Sequence, residues 1–398
     1  MAKNRNLVKE LCTDADYCTI GLDLAKNDVS IAAIACDDTT PTLIDRMTYD
    51  ELYALADKLS PTLFAFEPCC AYSHVAAELQ IRGHQVRVIS GRAVKNWINT
   101  HMSGQKTDLN DALALARLAS DPDLQPIRPK TVEERRIMTL QGIRLQFVSQ
   151  KSQTLVSFKG FCQSWGIALR ACSKNLKKFE DILKGNVELL SESVIAGMLS
   201  MLDRVRDLNA KITEIDKTLT ELVSADPRGA LLLDVLGVGT QIVARFLTTI
   251  GDIERFDSPR SAVAYVGLAP KNNITGHINK PKPRKSGLPD TRYKGQGRVS
   301  KHGDTYLRSL LTQGAASIYM LHSRKALEQC PLKCWLEKQL NNGKPYGKII
   351  ISLAAKMVRI MWALLTYGEK FDIHKAGLSR AMLAKMSAEP LSQGGTAS

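Results

Sequence analysis

The sequence predicts an α/β domain followed by all-α segments, and three observations support this fold class. Over the first 125 residues, short apolar runs alternate with helical patterns. Residues 131–226 contain no strand signal and have long amphipathic periodicity, and residues 229–370 are again helical apart from one basic stretch. The predicted domains are an α/β domain (1–125), long helices (126–228), a helical C-terminal domain (229–372) and a partly disordered tail (373–398).

The elements of the first domain follow from its apolar runs. Residues 17–24 and 28–36 predict two strands of a hairpin, because turn-forming residues separate them. Short apolar runs at 63–66 and 86–89 predict two further strands. Helical patterns predict helices at 72–82 and 108–119.

The middle section predicts two long helices. Apolar residues recur there at steps of three and four, with charged residues between them: Val205, Leu208, Ile212, Ile215, Leu219 and Leu222. Asp226-Pro227 ends the second helix. An antiparallel or intermolecular coiled coil that mediates dimerisation fits this pattern, and an ordinary helical bundle within one subunit fits it equally well.

The charge balance points to a polyanionic partner. The 398 residues contain 54 Lys+Arg and 40 Asp+Glu, which gives a net charge of +14. Such a balance favours nucleic acid, or less readily an acidic membrane surface. A membrane span is not expected, because Lys356 and Arg359 interrupt the most apolar stretch, Ile349 to Leu365. No signal-peptide pattern is found, and the nine cysteines form no CxxC pair, so a reduced cytoplasm is the expected location.

Four carboxylates stand at the ends of predicted elements. Asp23 ends the first strand, Glu67 follows the apolar run at 63–66, and Asp108 and Asp111 share one face at the start of a helix. Acids on adjacent strands and a nearby helix could converge, and their mutual repulsion would then require cations. Mg²⁺ prefers such oxygen ligands and catalyses phosphoryl transfer. The alternative is that all four are ordinary surface acids, with Asp108 acting only as a helix cap.

A glycine-containing turn lies between two helical patterns in the C-terminal half. Gly237 and Gly239 permit a tight turn, and Thr240 is expected to cap the following helix. The exposed amides of such a helix-hairpin-helix bind phosphate oxygens without reading sequence. A plain helical connector is the alternative.

A basic stretch surrounds one serine. Residues 271–308 contain ten Lys+Arg and two Asp, a balance of +8. Ser300 is flanked there by Arg298, Lys301 and Arg308, whose charge would assist a serine nucleophile and stabilise a phosphate. Alternatively, Ser300 belongs to the capping region of a helix that begins near Asp304. The other candidate nucleic-acid contacts in this loop are Lys280, Lys282, Arg284 and Lys285.

The motifs together resemble those of the insertion-sequence family 110 transposases. The resemblance rests on IGLDLAK (20–26), Phe66-Glu67, KTDLNDA (106–112) and RVSKHGD (298–304), and continues through residues 265–270 and 343–371. It covers about residues 17 to 372, with motifs in both halves and in the right order.

The resemblance implies several properties of this chain. It implies a RuvC-like, ribonuclease-H-like N-terminal domain in which Asp23, Glu67, Asp108 and Asp111 bind two Mg²⁺, with Ser300 as a nucleophile that forms a phosphoserine link to DNA. Donor and target DNA and a non-coding bridge RNA are the implied partners. A dimer or tetramer is expected, because the quartet and the serine could come from different subunits. A DNA invertase, a RuvC-like junction-resolving nuclease and a non-catalytic nucleic-acid-binding protein remain alternatives.

Overall fold

A computed structural model describes residues 17–36, 40–102, 104, 107–167, 176–272 and 296–375. The chain divides into two compact units, residues 1–132 and residues 133–398. The first unit is mixed α/β and the second is mostly helical, which confirms the predicted combination of fold classes.

The first unit is built on a five-stranded sheet. Its strands are β1 (Tyr17–Leu24), β2 (Asp28–Ala35), β3 (Thr42–Thr48), β4 (Leu63–Phe66) and β5 (Gln85–Val88). Their order is β3-β2-β1-β4-β5. The β1–β2 and β2–β3 pairs are antiparallel, whereas β1–β4 and β4–β5 are parallel. The mixture follows from the connections, since a short turn joins β1 to β2 and a helical crossover joins β4 to β5.

Four helices complete the described part of this unit. They are α1 (Tyr49–Ala56), α2 (Tyr72–Ile81), α3 (Gly91–His101) and α4 (Asp108–Leu118). One face of the sheet buries Ile20, Leu22 and Phe64 completely, together with Leu52 of α1 and Leu79 of α2. Cys36, which follows β2, is disulfide-bonded, a pairing that the cysteine spacing did not predict.

Helix α4 lies directly on β1. A Cβ at Gly21 would stand 2.0 Å from the carbonyl oxygen of Ala112 and 2.4 Å from the amide nitrogen of Ala116. The hydrogen side chain of Gly21 therefore allows the helix backbone to touch the strand, and this contact sets the position of the first turn of α4.

Replacement of Gly21 by Ala is expected to destabilise the first unit by about 3 kcal/mol, because both backbones must separate to admit the methyl group. Urea unfolding followed by far-UV circular dichroism measures the loss. Gly142→Ala, in α5, is the control, since nothing beyond the local backbone of its own helix lies within 4 Å of its Cβ position. That substitution should be neutral or stabilising by up to about 1 kcal/mol. Equal effects of the two substitutions would contradict the close helix–strand contact.

The second unit contains ten helices among its described residues. They are α5 (Val132–Ser164), α6 (Leu176–Lys184), α7 (Val187–Leu190), α8 (Glu192–Ala225), α9 (Pro227–Leu233), α10 (Thr240–Ile250), α11 (Pro259–Val266), α12 (Thr305–Ser323), α13 (Pro331–Asn341) and α14 (Tyr346–Tyr367). Two short strands, β6 (Pro270–Asn272) and β7 (Gln296–Val299), pair antiparallel as a separate two-stranded sheet.

The two long helices that the sequence predicted are α5, of 33 residues, and α8, of 34 residues. Helix α8 ends at Ala225, as predicted, and Pro227 is the first residue of the next helix. Val205 and Leu208 are buried as the periodicity requires, but Leu222 is exposed and Val223 is buried in its place. A coiled-coil pairing of these helices stays a prediction.

Helix α14 is a central helix of the C-terminal core. By length and composition, it is the one helix in the described part of the chain that could cross a membrane. Leu353, Val358 and Met361 are fully buried, and they belong to one core with residues of α10, α11 and α12. This packing is the arrangement expected of a buried core helix.

Candidate functional site

Two of the predicted acids lie at the same edge of the sheet. The parallel pairing of β1 with β4 places Leu22 opposite Phe66, so Asp23 and Glu67 occupy the next position on each chain. Both are partly exposed. Sequence order alone could suggest this proximity, because parallel strands end at a common edge.

The other two acids lie in the first turn of α4. The hydroxyl of Thr107 caps this helix by accepting a hydrogen bond from the amide of Asn110 at 3.1 Å. Asp108 is exposed, whereas Asp111 is only 7% exposed. Gly21 and Asp23 face the same side of β1, which is the side that α4 covers. The helix that carries Asp108 and Asp111 therefore packs on the side of β1 that carries Asp23.

Two residues beside these acids were not predicted from the sequence. A Cβ at Gly91, the first residue of α3, would stand 2.6 Å from Glu67 Oε2, so this glycine leaves room for the carboxylate. The Tyr49 hydroxyl donates a hydrogen bond to the carbonyl of Ala25 at 2.6 Å. Burial, and then the nearby Cys69, raise the pKa of Tyr49, with Asp23 among the smaller causes. Neither residue belongs to a motif, so only tertiary structure could identify them.

The chemistry of the four acids suits a hard divalent cation, since every donor is a carboxylate oxygen. Within the described ranges, however, no three His, Cys, Asp or Glu side chains are grouped closely enough to hold a metal ion. The structure therefore brings the acids to one side of the sheet, while their convergence on Mg²⁺ stays a prediction.

The turn between α9 and α10 packs tightly on α12. Gly237 has a φ of +75°, and a Cβ there would stand 2.8 Å from the carbonyl oxygen of Gly314. The prediction that Thr240 caps α10 is wrong, because Gly239 is the N-cap residue and no side chain caps the helix. Instead, the hydroxyl of Thr240 lies 3.2 Å from that of Thr220 on α8.

Ser300 lies in a loop that the backbone holds firmly. Its amide donates to the carbonyl of Ala269 at 2.8 Å, and the amide of Lys301 donates to the carbonyl of Gly267 at 3.2 Å. The Oγ atom of Ser300 is buried and has no hydrogen-bond partner among the described residues. Asp304, not Ser300, caps α12, because its carboxylate accepts a hydrogen bond from the amide of Leu307 at 2.8 Å. The alternative that Ser300 serves as the cap is therefore wrong.

Two glycines lock this loop against the end of α11. Gly267 has a φ of +83°, and a Cβ there would overlap the carbonyl oxygen of His302 at 1.7 Å. Gly303 has a φ of +94°, and its Cβ would lie 2.2 Å from the carbonyl oxygen of Tyr265. Because two backbones interlock, the position of Ser300 is set by main-chain contacts on both sides.

The predicted cationic contacts divide into three groups. The guanidinium of Arg308 donates to the carbonyls of Val266 at 3.2 Å and His302 at 3.1 Å, so it braces the loop from inside. Lys301 is exposed in a left-handed conformation, with a φ of +57°. The remaining predicted side chains lie outside the described residues or side chains: Lys280, Lys282, Arg284, Lys285 and Arg298.

Comparison with known proteins matches both halves of the chain to transposases, the enzymes that cleave and rejoin the DNA of mobile elements. Residues 20–163 match a transposase family model of the IS110 DEDD type. Residues 229–293 match the model described as the transposase IS116/IS110/IS902 family. Together these segments cover more than half of the sequence. The chain belongs to the IS110/IS116 family of transposases.

Relatives of similar length support this assignment. A probable family 20 transposase of Pseudomonas aeruginosa is 26% identical, over 87% of this chain and 96% of its own length. The transposase for insertion sequence element IS1328 of Yersinia enterocolitica is also 26% identical, over 89% of this chain and 98% of its own. A pilin gene-inverting protein of Moraxella lacunata is 22% identical over 73% of this chain and 75% of its own.

Proposed function

We propose that this transposase is a DNA recombinase in which Ser300 attacks the scissile phosphodiester and the quartet Asp23, Glu67, Asp108 and Asp111 binds Mg²⁺. The observation that supports this best is the Ser300 hydroxyl, which is held in a braced loop without a hydrogen-bond partner among the described residues. A buried hydroxyl that makes no hydrogen bond is costly, and such groups are typical of functional sites.

The proposed step balances in atoms and protons. A bond forms between Ser300 Oγ and phosphorus, and the bond from phosphorus to the bridging oxygen of the leaving strand breaks. The serine loses one proton and the leaving oxygen gains one. A hydroxyl of a second DNA strand then attacks the phosphoserine, which joins that strand and restores Ser300. When bound, Mg²⁺ would stabilise the charge that develops on the phosphate oxygens.

The acids and the serine belong to different units of the chain, and we propose that both act on the same phosphodiester. The acids would come from a RuvC-like domain, for which the sheet with central β1 provides the framework. More than one copy of the chain is expected in the active assembly.

We further propose that base pairing with a bridge RNA selects donor and target DNA, while the protein contacts backbone phosphates. The basic loop at 271–297 and the glycine turn at Gly237 would contribute to that contact. The site of action would be the bacterial cytoplasm, at the nucleoid. Guidance by a bridge RNA is tested by sequencing the RNA that copurifies with the protein. The absence of bound RNA would count against guidance.

The test of the serine assignment is covalent capture. The wild-type protein is incubated with Mg²⁺ and labelled DNA from the flanks of its own gene, in the presence of copurified RNA, and run on a denaturing gel. A shifted protein–DNA adduct is expected, and Ser300→Ala should abolish it because no Oγ remains to bond to phosphorus. Ser309→Ala, an exposed serine on α12, is the matched control and should retain the adduct. An adduct in Ser300→Ala would contradict the assignment of Ser300 as the nucleophile.

An inverting recombinase is the second candidate, favoured by the similarity to the pilin gene-inverting protein. The two functions share the cleavage step and differ in the arrangement of their DNA sites. A nuclease of the RuvC type is also distinguishable, because water would then be the nucleophile and the wild type would cut DNA without any adduct.

A further inference from the structure

Helix α10 carries a cation that reaches the loop of the proposed nucleophile. Arg245 contacts Asp304 Oδ2 through its Nε at 2.8 Å and its Nη2 at 2.5 Å. Both side chains are mostly buried, at 17% and 15% exposed. Thr249, one turn further along α10, directs its hydroxyl at the same oxygen at 3.4 Å. Asp304 is thus held by α10 on one oxygen while its other oxygen caps α12.

Asp304 in turn helps to hold the C-terminal end of the Ser300 loop. The loop is fixed at its start by the hydrogen bonds to Gly267 and Ala269. At its end it is held to α12 by Asp304, which caps the helix, and by Arg308, which donates to the carbonyl of His302. Three residues separate Ser300 from Asp304, so a shift of Asp304 is transmitted through a short backbone segment. A nucleophile that is displaced by about 1 Å can lose about 10²-fold in rate.

The arginine itself is held in place by further polar contacts. Its guanidinium lies over the ring of Tyr306, 5.5 Å from the centroid. The N-terminal end of the same helix α10 is tied to α8, since Gln241 donates to Asp216 at 2.6 Å. Asp216 also accepts two hydrogen bonds from Arg144 of α5, at 2.6 and 3.0 Å. The long helices therefore fix the helix that presents Arg245.

We infer that Arg245 is a positioning residue for Ser300: its ion pair with Asp304 holds the nucleophile loop in the geometry required for attack. This inference rests on the proposed role of Ser300. Helix α10 would then have a second role besides phosphate contact. Arg245 lies in the middle of this helix, and its side chain is mostly buried.

The test separates positioning from binding and from folding. Arg245→Met removes the charge and the hydrogen-bond donors but keeps an unbranched side chain. The rate of adduct formation under single-turnover conditions should fall about 10²-fold, while the dissociation constant for DNA changes less than about threefold. Arg245→Lys should recover part of the rate, since it restores the charge without the planar guanidinium. Arg228→Met, which breaks a pair with Asp226 elsewhere in the unit, should leave the rate unchanged.

Two further measurements distinguish a loss of positioning from misfolding of the variant. Asp304→Asn weakens the ion pair but keeps an oxygen that caps α12 well, and it should lower the adduct rate in the same direction. Hydrogen exchange should accelerate at the Ser300 and Lys301 amides in Arg245→Met and stay unchanged in α14. Faster exchange throughout the unit, or a wild-type adduct rate in Arg245→Met and Asp304→Asn, would overturn the inference. An adduct in Ser300→Ala would instead show that the proposed function has failed.

Discussion

Replacing Asp111 with Asn is expected to lower the rate of DNA strand cleavage by about 10³-fold or more. The substitution preserves the shape of the side chain and removes its negative charge. Asp111 is almost fully buried in the first turn of α4, and a buried carboxylate is costly unless a cation or hydrogen bonds compensate it. If Mg²⁺ binds there, the loss of one charged ligand weakens the cation that stabilises the developing phosphate charge. Cleavage is measured on labelled DNA over a titration of Mg²⁺.

The matched control for this prediction is Asp50→Asn. Asp50 is also an aspartate in the first turn of a helix of the same unit, but it is exposed and lies on α1. Its substitution should change the cleavage rate by less than about twofold. The folding of Asp111→Asn is checked by thermal unfolding, since a buried amide could also cost stability. Cleavage at the wild-type rate in a folded Asp111→Asn protein would contradict a catalytic role for the quartet.

The strands that the sequence predicted are those with continuous apolar runs. The bounds of β1 and β4 agree with the structure, and the central residues of both strands are buried: Thr19 to Leu22 and Phe64 to Phe66. Strand β3 was not predicted. It lies at the sheet edge and buries only Ile44 and Met47, so its sequence lacks a run of apolar residues. A strand at the edge of a sheet buries fewer side chains, so it lacks the continuous apolar run from which the other strands were predicted.

The acids and the serine of the candidate site were proposed from the sequence, and their roles stay predictions, whereas the residues that contact them were not proposed. Asp23 and Glu67 are recognisable because each follows a buried strand. Arg245 and Gly91 are not, since each acts on a partner that is distant in sequence. Thr240 illustrates the opposite error: local sequence favoured a cap, but tertiary packing paired its hydroxyl with Thr220. Local sequence patterns therefore predicted which residues to consider, whereas contacts between residues distant in sequence could be identified only from the structure.

Replacing Gly303 with Ala is expected to cost about 3 kcal/mol or more of stability and to abolish adduct formation by Ser300. Two separate costs add here. At a φ of +94° an L-residue is strained by about 1–2 kcal/mol. In addition, the methyl group would lie 2.2 Å from the carbonyl oxygen of Tyr265, so the two interlocked backbones must separate. That separation displaces the segment that carries Ser300, three residues away.

Gly343→Ala distinguishes these two costs. Gly343 also has a positive φ, of +64°, but no atom beyond its two chain neighbours lies within 4 Å of its Cβ position. Its substitution should therefore cost only the strain, about 1 kcal/mol, and leave the adduct intact. Urea unfolding measures both variants, and the denaturing gel measures the adduct. Equal losses of stability in the two variants would mean that the contact between Gly303 and Tyr265 does not restrain the loop. A larger loss in Gly303→Ala, together with loss of the adduct, would tie the placement of the nucleophile to this backbone interlock.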